Sequence, residues 1–282
     1  MKKTILIAGC LLTAAAILPA KSSFFFPWLG RQPERQYDRI GNIPLPDGYI
    51  RTQVSAGSFQ DWLRHLPLKR SRANVRLYNH QVKRNQKNHY GIINMDVGSK
   101  NLQQCADSII RLYAEYLYAQ GNYDAIAFYF TNGVQAEFTR WIEGYRPQMK
   151  DDRSYWIPTA ERDLSYASFR NFLETVFYYA GTYSLSRELK EVRYPDNIQA
   201  GDVFVRGGFP GHGVIVVDVA VNPVTRQKIF IMAQGSMPAQ DIQILINPKD
   251  DALSPWYLLD TAKSVDIPKY SFDWNNLRRF PD

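Results

Sequence analysis

The stretch Gly211-His212-Gly213-Val214-Ile215-Val216-Val217-Asp218 decides how the chain is read. A histidine sits between two glycines, and an apolar run rich in β-branched residues follows it. Such a run reads as a buried strand, with His212 at its mouth. Gly201-Asp202-Val203-Phe204-Val205 reads as a shorter strand before it. Lys228-Ile229-Phe230-Ile231-Met232-Ala233-Gln234 reads as a third strand after it. A histidine at the rim of such a sheet can serve a nucleophile that another part of the chain supplies. The candidate nucleophile is Cys105.

Residues 102–120 form the clearest helical pattern in the chain. Ile109, Leu112, Tyr113, Tyr116 and Leu117 recur at spacings of three and four, a single apolar stripe. Ser99 or Asn101 can cap this helix, which puts Cys105 in its first turn or two. The positive end of the helix dipole favours thiolate there. Alkylation well below pH 8 is the expectation for a nucleophile so placed, whereas a buried, inert cysteine is the plainer alternative.

The two ends of the chain frame that choice. Met1-Lys2-Lys3 followed by the apolar residues to Ala20 has the pattern of an export signal over residues 1–20. Ile7-Ala8-Gly9-Cys10 also fits a lipoprotein signal acylated at Cys10, and about 17 apolar residues approach the length of a membrane span. Export to the periplasm or cell envelope leaves Cys105 as the one thiol of the mature chain. An unpaired thiol in an oxidising compartment is a candidate reactive group.

Composition is that of a globular protein with an aromatic excess of 18 Tyr, 15 Phe and 6 Trp. Rings on the surface suit sugar or peptide ligands, while most fill a core. The formal charge of +7 falls to about +5 without Lys2 and Lys3. Between Trp62 and Met95 there is no acid, yet Arg64, Lys69, Arg70, Arg72, Arg76, Lys83, Arg84 and Lys87 occur. The basic loop 64–87 is therefore expected to meet either an anionic surface or solvent alone. Nucleic acid is not expected, because no binding motif accompanies the charge.

Residues 21–40 read as a linker whose Phe24-Phe25-Phe26-Pro27-Trp28 cluster either meets a membrane interface or docks on the domain. Residues 41–282 read as one domain. Ser58 starts a short helix, 75–78 and 92–97 read as strands, and 125–130 as another. Residues 150–163 read as loop, 166–179 as a second amphipathic helix ended by Gly181, and 184–191 as a short helix. A strand over 242–246 and a Pro- and aromatic-rich tail close the chain.

A base for Cys105 must take its proton and later return it to a leaving group, which imidazole does near neutral pH. Of the four histidines, His65, His80 and His89 sit in a helix or the basic loop, and His212 alone is framed by glycines. Asp218 shares the His212 face of the strand but lies roughly 20 Å along it, too far to orient the ring. A turn at Asn222-Pro223-Val224-Thr225 returns the next strand antiparallel. Pairing Val221 with Arg226 then sets His212 opposite Gly235, and a one-residue bulge would set Gln234 there instead. Gln234 is the expected partner of the imidazole, with Ser236 and Gln240 in reserve. The Cys105 N–H is one expected oxyanion donor, with Gln104 or Tyr90 as a second.

Several segments resemble an uncharacterised bacterial family of unknown function: Asp96-Val97-Gly98, Leu102-Gln103-Gln104-Cys105-Ala106-Asp107, Gly201-Asp202-Val203-Phe204, Gly207-Gly208-Phe209-Pro210-Gly211-His212 and Gln234-Gly235-Ser236-Met237-Pro238-Ala239-Gln240. More distantly, the order of helix-start Cys, Gly-Asp strand, rim His and polar residue on the next strand is similar to NlpC-type and CHAP-type cell-wall peptidases and amidases. That resemblance implies an α+β, papain-like architecture, the Cys helix packed on an antiparallel sheet. It implies Cys105 as nucleophile, His212 as base and Gln234 as orienter, acting on amide bonds of peptidoglycan peptides. Cell-wall peptide or glycan would be the partner. The chain departs from that pattern at Gln104 and Ala106-Asp107, and in its long insertion between the Cys helix and Gly201.

Two rival readings stand beside it. One is a non-catalytic envelope protein binding glycan, lipid or a protein partner. The other is a glycosidase using carboxylates among Glu137, Glu143, Asp151 and Asp152, although their loop-like setting fixes no separation. No metal-ligand spacing, phosphate loop or dinucleotide fingerprint occurs, so no cofactor is expected.

Overall fold

The computed structural model describes residues 24–30, 38–150 and 153–281. The expected export signal and Cys10 lie outside the described residues. So do parts of the expected linker and two carboxylates of the glycosidase reading, Asp151 and Asp152.

In chain order the strands and helices are β1 (Ile50–Arg51), α1 (Phe59–His65), β2 (His89–Ile92), α2 (Cys105–Ala119), β3 (Ala127–Tyr129), β4 (Gln135–Glu137) and α3 (Phe138–Ile142). They continue with β5 (Tyr145–Lys150), β6 (Arg153–Pro158), α4 (Tyr166–Tyr179), α5 (Thr182–Glu188), β7 (Lys190–Glu191), β8 (Val203–Arg206) and β9 (His212–Val221). The last are β10 (Lys228–Gln234), β11 (Gln243–Leu245), β12 (Tyr257–Leu258), β13 (Val265–Ile267), β14 (Tyr270–Phe272) and β15 (Leu277–Arg279).

The fold is α+β. Nine strands form one sheet, ordered β2-β11-β10-β9-β8-β15-β7, with β1 on β9 and β12 on β10. Its ladders are antiparallel. Strand β9 is central because Val214 to Ala220 are apolar on both faces apart from Asp218, and all are buried. Alternation divides them between two cores. Ile215 and Val217 join the larger core with Ile109, Ile110 and Leu112 of α2 and Phe169, Phe172 and Leu173 of α4. Val214 and Val216 join a smaller one with Phe230, Met232, Val265, Ile267 and Phe272, so that the β13–β14 hairpin roofs the second face.

Asp218 interrupts the apolar run at the far end of β9. It is fully buried and pairs with Arg51 at 2.7 Å and Arg64 at 2.6 Å. The residue that distance along the strand excluded from the site is thus a structural anchor, and Arg64 of the basic stretch, at the end of α1, reaches it. The aromatic cluster near residue 26 docks on the domain. Trp28 Nε1 donates to the Asn94 carbonyl at 2.7 Å, and Phe26 packs 5.9 Å from Trp62. Packing therefore begins inside the segment expected to be linker.

Several expected elements differ. Residues 75–78 form only isolated bridges, Arg76 to Val82 and Leu77 to Gln240. The strand expected over 92–97 ends at Ile92, the last residue of β2. The stretch expected as loop over 150–163 contains β6, which pairs fully with β5. Its polar residues hid a two-residue period that an exposed hairpin does not need to fill with apolar side chains. Helix α4 has the bounds its pattern predicts, with Ser165 as N-cap accepting from the Ser168 N–H.

Candidate functional site

Helix α2 starts at Cys105 itself, with Gln104 as N-cap instead of Ser99 or Asn101. The Gln104 N–H donates to the Asp107 carboxylate at 2.9 Å, which satisfies one of the donors that a helix start leaves open. The loop leading into the helix is held from below by Arg111, a fully buried guanidinium. Arg111 donates to Asp96 Oδ1 at 2.8 Å, to the Asp96 carbonyl and to Gln103 Oε1. Arg170 closes on the same carboxylate at 2.9 Å. Burial alone would raise the Asp96 pKa, but Arg111 and Arg170 together hold it well below the ordinary carboxylate range.

Two glycines let the sheet approach α2. A Cβ on Gly213 would stand 3.0 Å from Ile109 Cδ1. On Gly235 it would stand 2.0 Å from Ser108 Oγ and 2.7 Å from the Gln104 carbonyl oxygen. Gly211 is pressed in the same way on Thr182 at the start of α5, where a Cβ would stand 2.2 Å from the hydroxyl oxygen. The glycines around His212 therefore admit neighbouring helices, where the sequence suggested room for a ligand.

The β9–β10 ladder runs from Lys228–Val221 to Ala233–Ile215, with a bulge between Ile231 and Met232. The expected register, Val221 with Arg226, is two residues short because the connecting loop is longer. The ladder with β10 ends at that pair, and two residues nearer the start of β9 the Gly213 N–H donates to the Cys105 sulfur. His212, one residue earlier, turns to the opposite face. Its Nε2 lies 2.7 Å from Gln234 Oε1, and its ring stacks near Phe272 and Tyr270, with centroids 6.0 and 5.0 Å away. An amide oxygen only accepts, so Nε2 carries the proton and Nδ1 carries the lone pair of the neutral ring. Among the hydrogen bonds of the described residues, none joins the sulfur to the imidazole. The two groups flank the end of one strand from its two faces.

The electrostatics correct the expectation of a pre-formed thiolate. Burial, and then the Asp107 carboxylate, push the Cys105 thiol above its ordinary value of 9.0. The N–H groups of Ala106, Gly213 and Cys105 itself oppose this and do not overcome it. Burial holds the His212 imidazole below 6.5, with the Gln234 hydrogen bond acting the other way. The resting pair is therefore neutral thiol and neutral imidazole. Burial also carries the Asp107 carboxyl to about 8, and its Oδ1 is buried without a partner among the described residues.

The remaining expected site residues divide. Gln104 is adjacent to the sulfur-bearing residue, its side-chain amide donating to the Asn101 carbonyl at 3.2 Å. Ser236 is half-buried just after β10. Gln240 is buried with its Oε1 unpartnered, and does not contact His212. Tyr90 is corrected: it sits on β2, two strands beyond β10. There it lines a separate cavity of about 620 Å³ with His89, Arg70 and Arg72. The pairing of β2 with β11, far along the chain, is what put it there, and no local pattern encodes it. Lys69 of the basic stretch turns inward to Asp241 at 2.8 Å. Sequence reading missed the roof over the base, Tyr270 and Phe272. The alternation Val265, Ile267, Tyr270, Phe272 in the presumed tail was the available signal.

Among the described residues, no group of three or more His, Cys, Asp or Glu side chains is placed to hold a metal ion. No helix among them is long and apolar enough to cross a membrane. Residues 40–279 match the model of a family described as Domain of unknown function (4846). No curated protein and no solved structure matches the chain.

Proposed function

The chain belongs to the family described as Domain of unknown function (4846), and from that premise we propose that it is a thiol-dependent hydrolase of amide bonds. Its substrate is peptide of the bacterial cell wall, reached after export. The observation that carries this reading is the joint placement of Gly213 on the Cys105 sulfur and Gln234 on the adjacent His212. One strand end delivers both a nucleophile contact and a tautomerically fixed base.

The chemistry follows from the atoms. His212 Nδ1 takes the thiol proton as the sulfur attacks the substrate carbonyl carbon. The Cys105 N–H, with the Gln104 side-chain amide beside it, faces the oxygen that gains charge. Collapse breaks the C–N bond, and the imidazolium gives its proton to the leaving amine. Water, deprotonated by the same nitrogen, then cleaves the thioester and restores the thiol. The Nε2–H bond to Gln234 persists throughout and stabilises the imidazolium, as a third residue does in a triad. The two groups flank β9 from its two faces, so the thiol–imidazole contact forms past the end of that strand, when bound substrate draws the His212 ring around it; catalytic hydrogen bonds commonly tighten only in the complex.

Purified full-length protein on peptidoglycan fragments tests the reading. Release of amine is expected from the wild type, with loss of at least 100-fold in both Cys105→Ala and His212→Ala. Full activity in either variant overturns it.

One observation favours a second reading, an envelope protein that binds wall peptide or glycan without cutting it. The thiol is raised and no hydrogen bond joins it to the imidazole. On that reading both variants bind wall fragments as the wild type does, and none of the three releases amine.

A further inference from the structure

A cavity of about 710 Å³ opens between the loop leading into α2 and helix α4. Lys100, Asn101 and Leu102 form one wall, and Trp141, Arg146 and Tyr178 are among the residues of the others. Nothing in the proposed reaction uses it. Its position ties it to the thiol. Leu102 stands three residues before Cys105, and three residues of chain reach at most about 10 Å. Asn101 couples it to the site a second time, because its side-chain oxygen accepts from the Ala239 N–H at 2.7 Å and so holds the loop that follows Gln234.

The charges in the cavity are unequal. Lys100 is already paired with Glu174 at 2.7 Å. Arg146 is not neutralised in this way. Its guanidinium carbon lies 3.8 Å from the centroid of the Trp141 ring. Its Nη1 donates to the carbonyls of Trp141 at 2.8 Å and Tyr145 at 2.7 Å. No hydrogen bond among the described residues uses its Nε or Nη2. Asp163, a solvent-exposed carboxylate bound to the Ser165 N–H, acts on it through space, and Glu174, which also lines the cavity, is taken up by Lys100. A guanidinium held over an indole, fixed by two carbonyls and with donors to spare, is built to receive a carboxylate. Tyr178, 68 % exposed beside Tyr179, offers an aromatic face for the apolar part of the same ligand.

We propose that this cavity is the recognition subsite of the hydrolase and binds a peptide through a free carboxylate held by Arg146. The Leu102 wall of the cavity lies within about 10 Å of Cys105, so an extended peptide, rising about 3.3 Å per residue, reaches from the thiol into the cavity in about three residues and places its carboxylate there. The assignment rests on the hydrolase reading for its place in a reaction, but its binding claim stands apart from turnover.

The test uses the full chain carrying Cys105→Ala, so that ligand is bound and not consumed. The probes are N-acetyl-trialanine as the free acid and as its C-terminal amide, titrated by calorimetry. The acid is expected to bind at least tenfold tighter than the amide. Adding Arg146→Gln brings the acid down to the level of the amide, and Arg146→Lys recovers part of the loss. Tyr178→Ala weakens both probes several-fold. Equal affinity for acid and amide, no effect of Arg146→Gln, or no binding of either probe by folded protein overturns the assignment. If the acid binds through Arg146 while wild-type protein releases no amine from wall fragments, the hydrolase reading falls and the subsite stands.

Discussion

The N–H of Gly213 points at the sulfur of Cys105, and this contact ties the register of β9 to the place of the nucleophile. Moving the strand by one residue would put a side chain where the glycine now lies. It would also turn His212 from the Gln234 face toward α2, because alternation reverses every side chain at once. The pair at the site is a property of the sheet's register as much as of its residue types.

Gln234 fixes the imidazole from 2.7 Å, so it is a positioning residue. Gln234→Leu removes the acceptor and leaves the neutral ring free to carry its proton on either nitrogen. Amine release is expected to fall by about 10- to 100-fold, below the ~10²–10⁴ that a general base itself contributes. The loss should fall on kcat with KM little changed. Gln234→Glu keeps an acceptor and should recover activity while raising the pKa read on the acid limb of the pH profile. Equal loss in the Leu and Glu variants would show that Gln234 only packs.

The thiol should alkylate slowly at neutral pH. Burial and Asp107 hold it above 9.0, so the rate with iodoacetamide rises with pH and passes its midpoint above pH 9. Asp107→Asn keeps an oxygen for the Gln104 N–H and removes the carboxylate that opposes thiolate. Its midpoint should move to lower pH. Mass spectrometry of the alkylated chain across pH 6–10 reads both profiles, and an unmoved midpoint removes Asp107 from the account.

The same carboxyl links stability to pH. Folding raises Asp107 from 3.8 to about 8, so between those values the folded chain holds a proton that the unfolded chain releases. Its contribution is complete below about pH 4 and is lost as pH rises through 8. Glu188, raised to about 7 by burial, acts in the same direction. At about 1.4 kcal/mol per unit the Asp107 contribution is bounded at about 6 kcal/mol. Urea midpoints of the wild type should fall from pH 5 to pH 9, and those of Asp107→Asn should fall less. Parallel slopes would contradict the buried carboxyl.

Part of this arrangement is legible in the sequence. Helix α4 follows from a 3.6-residue apolar period with Ser165 before it, and β9 from an apolar run too short and too β-branched for a helix. The partnership of His212 with Gln234 follows from strand order within one hairpin. Its register does not, because the loop from 222 to 227 exceeds the tight turn its proline suggests and the ladder shifts at Ile231. Tyr90 shows where local pattern ends: its strand pairs with β11, more than 150 residues away, and so faces another cavity. The state of Cys105 was misread for a different reason. A dipole argument needs only position in a helix, whereas burial, which wins here, depends on what three distant strands cover.

Gly235 separates packing from chemistry. An alanine methyl there would meet Ser108 Oγ at 2.0 Å and the Gln104 carbonyl oxygen at 2.7 Å, and the second of these is backbone that cannot turn aside. Gly235→Ala should cost about 1–3 kcal/mol in the way of an overpacked core. It should also lift the end of β10 from α2 and carry Gln234 away from His212. Thermal denaturation together with amine release checks both effects. A variant as stable and as active as the wild type would mean that α2 and β10 are not in contact as described.

Asp218 supplies the converse case, because it shares β9 with His212 but lies six residues along, roughly 20 Å away. It is fully buried between Arg51 and Arg64. Asp218→Ala leaves two guanidinium groups facing a buried gap, and breaking a buried pair from one side costs about 3–5 kcal/mol. Arg51 keeps its bond to the Ile43 carbonyl and Arg64 its bond to the Thr52 carbonyl, so the lower part of that range is expected. The unfolding free energy from chemical denaturation should drop by that amount while kcat per folded molecule holds within about twofold, since a stability effect at this distance adds independently of the site. A fall in kcat comparable to that of Gln234→Leu would place Asp218 in the machinery, and the strand would then transmit strain along its whole length.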